Sequence, residues 1–177
     1  MAARVDFWSD FFDESNYFTG PPLTEGMIRA AEAQLGYKLP ACYLRLLRVK
    51  NGGSPKRKCY PTGQPGWADD HVEVSAIRGI GGTWGIDSEQ RGNRYMIREW
   101  GYPDVGILIG QTPSAGHDGV MLDYSVCGPD GEPRVIHVDT EGDEPQVQVL
   151  APNFEAFLLG LVDCAPFHER MDSVIDE

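Results

Sequence analysis

Residues 23–53, LTEGMIRAAEAQLGYKLPACYLRLLRVKNGG, constrain the fold of this chain more than any other stretch. They spell two short helices joined at a tight corner and closed by a glycine pair. Thr24 is placed to cap the first helix, and Glu25 puts a carboxylate where a helix N-terminus favours an anion. Ile28, Ala31, Glu32 and Leu35 share one face, so the apolar stripe is narrow. Gly36 stands where the left-handed residue that ends a helix belongs. Leu39-Pro40 restarts the chain, with Pro40 at the first helical position, where a missing N–H costs nothing. Tyr43, Leu44 and Leu47 form the next apolar stripe. Arg45, Arg48 and Lys50 fall toward the C-terminal end, matching the helix dipole, and Asn51-Gly52-Gly53 stops the helix.

On either side the patterning is coarser. Residues 6–18, DFWSDFFDESNYF, bring Phe7, Phe11 and Phe18 near one helical face, with Trp8 and Phe12 beside it. This predicts an added N-terminal helix that packs by its aromatics. Gly20-Pro21-Pro22 separates it from the corner. Residues 56–70 are polar and rich in Pro and Gly, and read as an exposed loop. Val72, Val74 and Ala76 alternate with polar residues, as a strand running into Ile77 and the glycines that follow. A helix is expected within 88–100, with Tyr95, Met96 and Trp100 inward. Strands are expected at 105–110, 119–124, 134–139 and 146–150. Asn153 then caps a helix in which Phe154, Phe157, Leu158, Leu161 and Val162 follow helical spacing.

Helices, several antiparallel strands and a covering helix make an α+β arrangement. Neither an internal repeat nor a regular βαβ alternation is present. Leu35, Leu39, Tyr43, Leu47, Phe157, Leu158 and Leu161 are expected in one core with the strands.

The corner also resembles a family signature. Ile28, Ala31, Glu32, Leu35, Gly36, Leu39, Pro40, Tyr43, Leu46, Leu47, Asn51, Gly52 and Gly53 carry the pattern I..AE..LG..LP..Y..LL...NGG. It is similar to the opening of the SUKH superfamily, which includes fungal cell-wall-assembly regulators and bacterial immunity proteins. VSAIRGIGG resembles that family's first strand and glycine exit, PDVGILIGQTPSAGHDGVMLDYS its central hairpin, and PRVIHVDTEGDEPQVQVLAPNFEAFLLGL its last strands and closing helix. The resemblance spans about residues 23–162. It implies a SUKH-like domain over 23–165, flanked by an N-terminal aromatic extension (1–22) and an acidic C-terminal tail (166–177). The extension and the 56–70 loop have no counterpart in the family pattern.

Composition limits the partners. The formal net charge is −12 over 177 residues, yet residues 29–58 hold eight Lys and Arg against Glu32 alone. The acidic charge is therefore concentrated elsewhere, most of all after residue 100. An acidic body repels nucleic acid and attracts basic partners. Lys56-Arg57-Lys58 beside Tyr60 is a small basic footprint against it and reads as a solvated loop. No apolar run reaches the ~20 residues that span a bilayer, and MAARVDFWSD lacks a long apolar leader segment, so the expectation is a cytoplasmic protein. The cysteines, Cys42, Cys59, Cys127 and Cys164, are dispersed, with no Cys-x-x-Cys pair. That favours thiols in a reducing compartment over a disulfide framework.

The best constellation for catalysis is His117, Asp118, Asp123, His137 and Asp139, which offers two imidazoles and three carboxylates for a metal-activated water. Its spacing matches no ligand motif, and the residues read more simply as a turn and outward positions of a half-exposed sheet. There is no dinucleotide fingerprint, Walker sequence or nucleophile elbow. No catalytic residue, cofactor or metal is expected, and the resembling family is not generally enzymatic. What the resemblance implies is an immunity protein that binds and blocks a cognate polymorphic toxin, such as a nuclease with a basic cleft. A regulatory or scaffold role like that of the fungal members is the alternative, ahead of a metal-dependent hydrolase. The expected contact surface is Asp69, Asp70, Glu73, Trp84, Asp118, Asp123, Asp139, Glu141, Asp143 and Glu144, with neither nucleic acid nor membrane as partner.

Overall fold

The computed structural model describes residues 6–63 and 70–169. Helix α1 (Glu25–Leu35) begins where Thr24 Oγ1 accepts the Met27 N–H at 3.2 Å, and it ends on Gly36 at φ +81°. Helix α2 (Ala41–Val49) starts one residue later than expected. Pro40 is its cap, extended at ψ 139°, and the Pro40 carbonyl accepts from Leu44 N–H. The buried stripe of α2 is Tyr43, Leu46 and Leu47 rather than Tyr43, Leu44 and Leu47.

The polar residues of the corner are used inside the fold. Glu32, on the edge of the buried stripe, accepts the Leu39 N–H at 2.9 Å and so ties α1 to the start of α2. Buried Asn51 donates through Nδ2 to the carbonyls of Pro21 (2.7 Å) and Ile80 (2.8 Å), and its Oδ1 accepts the Ile80 N–H at 2.9 Å. Gly52 lies at φ +86°, and a Cβ on Gly79 would fall 2.4 Å from the Asn51 carbonyl oxygen. The Asn-Gly-Gly stop and the later glycine run are thus two halves of one close backbone contact.

The remaining elements are β1 (Cys59–Pro61), β2 (His71–Glu73), β3 (Ala76–Ile77), α3 (Asn93–Trp100), β4 (Gly106–Gln111), β5 (Asp118–Asp123), β6 (Arg134–Asp139), β7 (Gln146–Ala151) and α4 (Phe154–Gly160). Strands β3-β4-β5-β6-β7 form an antiparallel sheet in sequence order, and β1-β2 form a separate antiparallel ribbon. The protein is α+β, as the patterning predicts. One face of the sheet, through Ile107, Val120, Leu122 and Val135, packs on α1, α2 and α4 in the main core. All seven expected core residues belong to it. The other face, through Leu108, Met121, Ile136 and Val138, packs on Met96 and Tyr102 from α3 and the segment after it.

Three expectations need correction. Residues 7–10 form turns instead of a helix, although Trp8, Phe11 and Phe12 are buried in the main core. Their burial is secured by tertiary contacts: Asp13 N–H bonds to Ser54, Lys56 N–H to Phe11, and Phe12 bridges Pro55. The strand expected at 72–77 is divided, because Val74 N–H goes to Lys58 and Ser75 N–H to Gln111, so the chain changes sheets there. The 56–70 segment is not all loop, since β1 lies in it. Among the described residues no helix is long and apolar enough to cross a membrane.

The cysteines also differ from expectation. Cys59 and Cys164 are joined in a disulfide, while Cys42 and Cys127 are free. The backbone pairing of Cys59 with Val162 brings residue 164 back onto β1, a long-range approach that spacing in the sequence cannot show. Burial pushes the Cys42 thiol up to about 12, with Glu155 and Glu132 adding to it, so it is a packed thiol at neutral pH.

Candidate partner-binding face

The expected acidic set divides into two groups. Asp118 and Asp123 are the ends of β5 and both are buried. Asp118 Oδ2 lies 2.6 Å from His137 Nε2, and its Oδ1 accepts the Thr112 hydroxyl at 2.5 Å. Burial pushes the Asp118 carboxyl up, but hydrogen bonds from His137, Ser114 and Thr112 and the attraction of His137 outweigh it and hold it below its ordinary value. Asp123 is bound by Arg134 Nε at 2.7 Å and by the Ser125 N–H at 2.9 Å. Burial again raises its carboxyl, and the bonds from Ser125 and Arg134 win and lower it. Strand alternation puts the two carboxylates on opposite faces of the sheet.

The exposed group is the β6–β7 turn. Asp139 ends β6 half-buried, and its Oδ1 accepts the Glu141 N–H at 2.9 Å. Glu141, Asp143 and Glu144 follow in a fully exposed turn. Beside them β7 is an edge of the sheet, with no strand on its outer side among the described residues. Its Val147 and Val149 are 51% and 52% exposed, on the sheet face beyond the reach of α3. Three carboxylates and two bare valines therefore adjoin an open strand edge. Open edges and uncovered apolar side chains are features that folds normally hide.

A narrow cleft between the β1–β2 ribbon and the sheet connects Glu73 with Asp118, His137 and Gln148. Asp70 and Glu73 flank it, half-buried, and each is engaged by a histidine: Asp70 with His71 at 2.9 Å, Glu73 with His168 at 3.3 Å. Asp69 lies outside the described residues. Trp84 is elsewhere. It is half-buried against Tyr17 and Phe18, with the Arg91 guanidinium 4.5 Å above its ring.

The five-residue catalytic constellation does not converge. The His117 ring packs on Trp100 at 5.4 Å, Asp118 and His137 satisfy each other, and Asp123 is held by Arg134 on the opposite face. Sequence reasoning missed a further polar group. Arg78 is buried, its Nε without a hydrogen-bond partner, in a pocket with Trp84, Arg91, Trp100 and Gln111. Burial pulls it down to about 10. Its place beside Ile77 in a strand pattern hides the fact that the strand ends there.

The buried pairs Asp118–His137 and Asp123–Arg134 are internally satisfied. No curated protein and no solved structure is similar to the chain at a significant level. The SMI1 / KNR4 family (SUKH-1) matches over residues 22–160, a span that holds the helical corner, the whole five-stranded sheet and α4. With that span covering most of its length, the chain belongs to the SMI1 / KNR4 family (SUKH-1).

Proposed function

We propose that this protein is a non-enzymatic immunity protein, acting in the cytoplasm, that binds a cognate polymorphic toxin and blocks it. The observation that carries this reading is the β6–β7 hairpin: Glu141, Asp143 and Glu144 are exposed, adjoin Val147 and Val149, and make no contribution to the core. Concentrated like charge costs a fold some self-repulsion, and a basic partner would neutralise it. A toxin that acts on nucleic acid presents a basic cleft, and an acidic edge strand with an apolar strip can fill it and exclude substrate. Family membership supports the same reading. Asp118 and Asp123 are left out of the contact surface, because their carboxylates are committed within the sheet.

The test is protection. The C-terminal domain of a large secreted protein encoded beside this gene should stop growth when expressed alone and be neutralised when this protein is co-expressed. Absence of such a neighbour, or a neighbour that this protein neither binds nor neutralises, would favour the regulatory or scaffold role instead.

A further inference from the structure

Metal-ligating side chains meet where the β1–β2 ribbon touches the C-terminal segment. Cys59 and Glu73 are partners in the ribbon ladder, and His71 is two residues from Glu73, so the three share one face. The helical turn at 165–169 lies over that face. It is fastened by the paired backbones of Cys59 and Val162, and by Phe167, whose ring is 4.5 Å from that of His71. Cys164 and His168 are one helical turn apart on this segment, and the His168 N–H bonds to the Cys164 carbonyl. Cys164 reaches Cys59, and His168 reaches Glu73. Ligand atoms of Cys59, His71, Glu73 and His168 all lie within 4.8 Å of one another.

We propose that when the Cys59–Cys164 bond is reduced, Cys59, Cys164, His71 and His168 bind one Zn²⁺ in a Cys2His2 site. Reduction by a dithiol passes two electrons and two protons to the two sulfurs, and the dithiol becomes a cyclic disulfide. Zinc then displaces both thiol protons to solvent and is held by two thiolates and two neutral imidazoles. The sulfurs part from bonding distance to about 3.8 Å, the edge of a tetrahedron with Zn–S bonds of ~2.3 Å. The neighbouring carboxylates suit the outer shell of such a site. Asp70 engages His71 Nδ1 at 2.9 Å, leaving Nε2 as the ligating nitrogen. Glu73 is 3.3 Å from His168 Nε2, leaving Nδ1. Carboxylates in this position orient metal-bound histidines. Four protein ligands close the coordination sphere, so the site is structural. It fastens the C-terminal segment to the ribbon under reducing conditions, as the disulfide does under oxidising ones.

The experiment uses the full chain, reduced with a phosphine, supplied with zinc chloride and dialysed without chelator. Elemental analysis should find one zinc per chain. Cobalt in its place should give tetrahedral ligand-field bands and a thiolate-to-cobalt charge-transfer band. His168→Ala and Cys164→Ser should each weaken zinc binding by at least roughly tenfold, the loss that removal of an outer-shell partner alone can bring. Because His168 is exposed, His168→Ala should leave the oxidised protein's melting temperature unchanged, which separates loss of a ligand from loss of the fold. Substoichiometric zinc in the reduced wild type, a cobalt spectrum without a thiolate band, or zinc binding indifferent to both substitutions would overturn the proposal.

Discussion

The helical corner and the β6–β7 hairpin are both rich in polar residues, and the fold treats them in opposite ways. In the corner, Glu32 and Asn51 spend their hydrogen bonds on backbone groups of the core: Leu39, Pro21 and Ile80. Tyr43 likewise donates to the Arg78 carbonyl at 2.5 Å. In the hairpin, Glu141, Asp143 and Glu144 point to solvent beside two exposed valines. Polar groups that hold a fold together are not free to recognise a partner. The corner's polar groups are therefore committed to the fold, and the hairpin's carboxylates are the ones that the proposed partner would meet.

Substitutions in the corner should break this contrast most strongly. Asn51→Ala removes three hydrogen bonds, the two to Ile80 buried and the one to Pro21 half-buried, and leaves backbone groups of Ile80 and Pro21 unsatisfied, so chemical denaturation should show a loss of ~3–4 kcal/mol. Leu158→Ala, beneath the corner in the main core, should cost roughly 2–5 kcal/mol by the same measurement. Loss below ~1 kcal/mol at either site would mean that the corner is not integral to the core.

Asp118 and Asp123 sharpen the contrast from inside the sheet. Both carboxyls are held below their ordinary value in the folded protein. The stability they contribute is full above the unfolded-state value, about 4, and is lost as pH falls through the lower folded-state value. An acid titration followed by circular dichroism should therefore show wild-type stability falling below about pH 4. Asp118→Asn should start less stable and fall less steeply. An unchanged slope would show that the His137–Asp118 pair does not contribute to acid sensitivity.

Much of the fold was legible, and the failures have a common cause. Thr24, Gly36 and Asn153 act as caps at the expected places, because capping depends on residues three or four positions away. Strands β5 and β6 follow from alternation, and β4 from a continuous apolar run. What could not be read were long-range meetings. Nothing near residue 59 signals Cys164, and nothing near Asp118 shows that His137 would face it across β5–β6. The acidic residues were legible as a set by charge, whereas their division into buried and exposed depended on strand register. Glu141, Asp143 and Glu144 were distinguishable only because a Gly-containing turn separates them from the strands.

The most direct test of the central claim is the association rate with the basic toxin domain that the proposed function expects to be encoded beside this gene, measured as salt is raised. The variant carries Glu141→Lys, Asp143→Lys and Glu144→Lys. Its stability should stay within ~0.5 kcal/mol of wild type, as befits exposed positions. Its association should be slower by tenfold or more, about the effect of lost electrostatic steering, and the wild-type rate should fall as salt rises. A rate that ignores both salt and the three reversals would contradict an acidic recognition face on the β6–β7 hairpin.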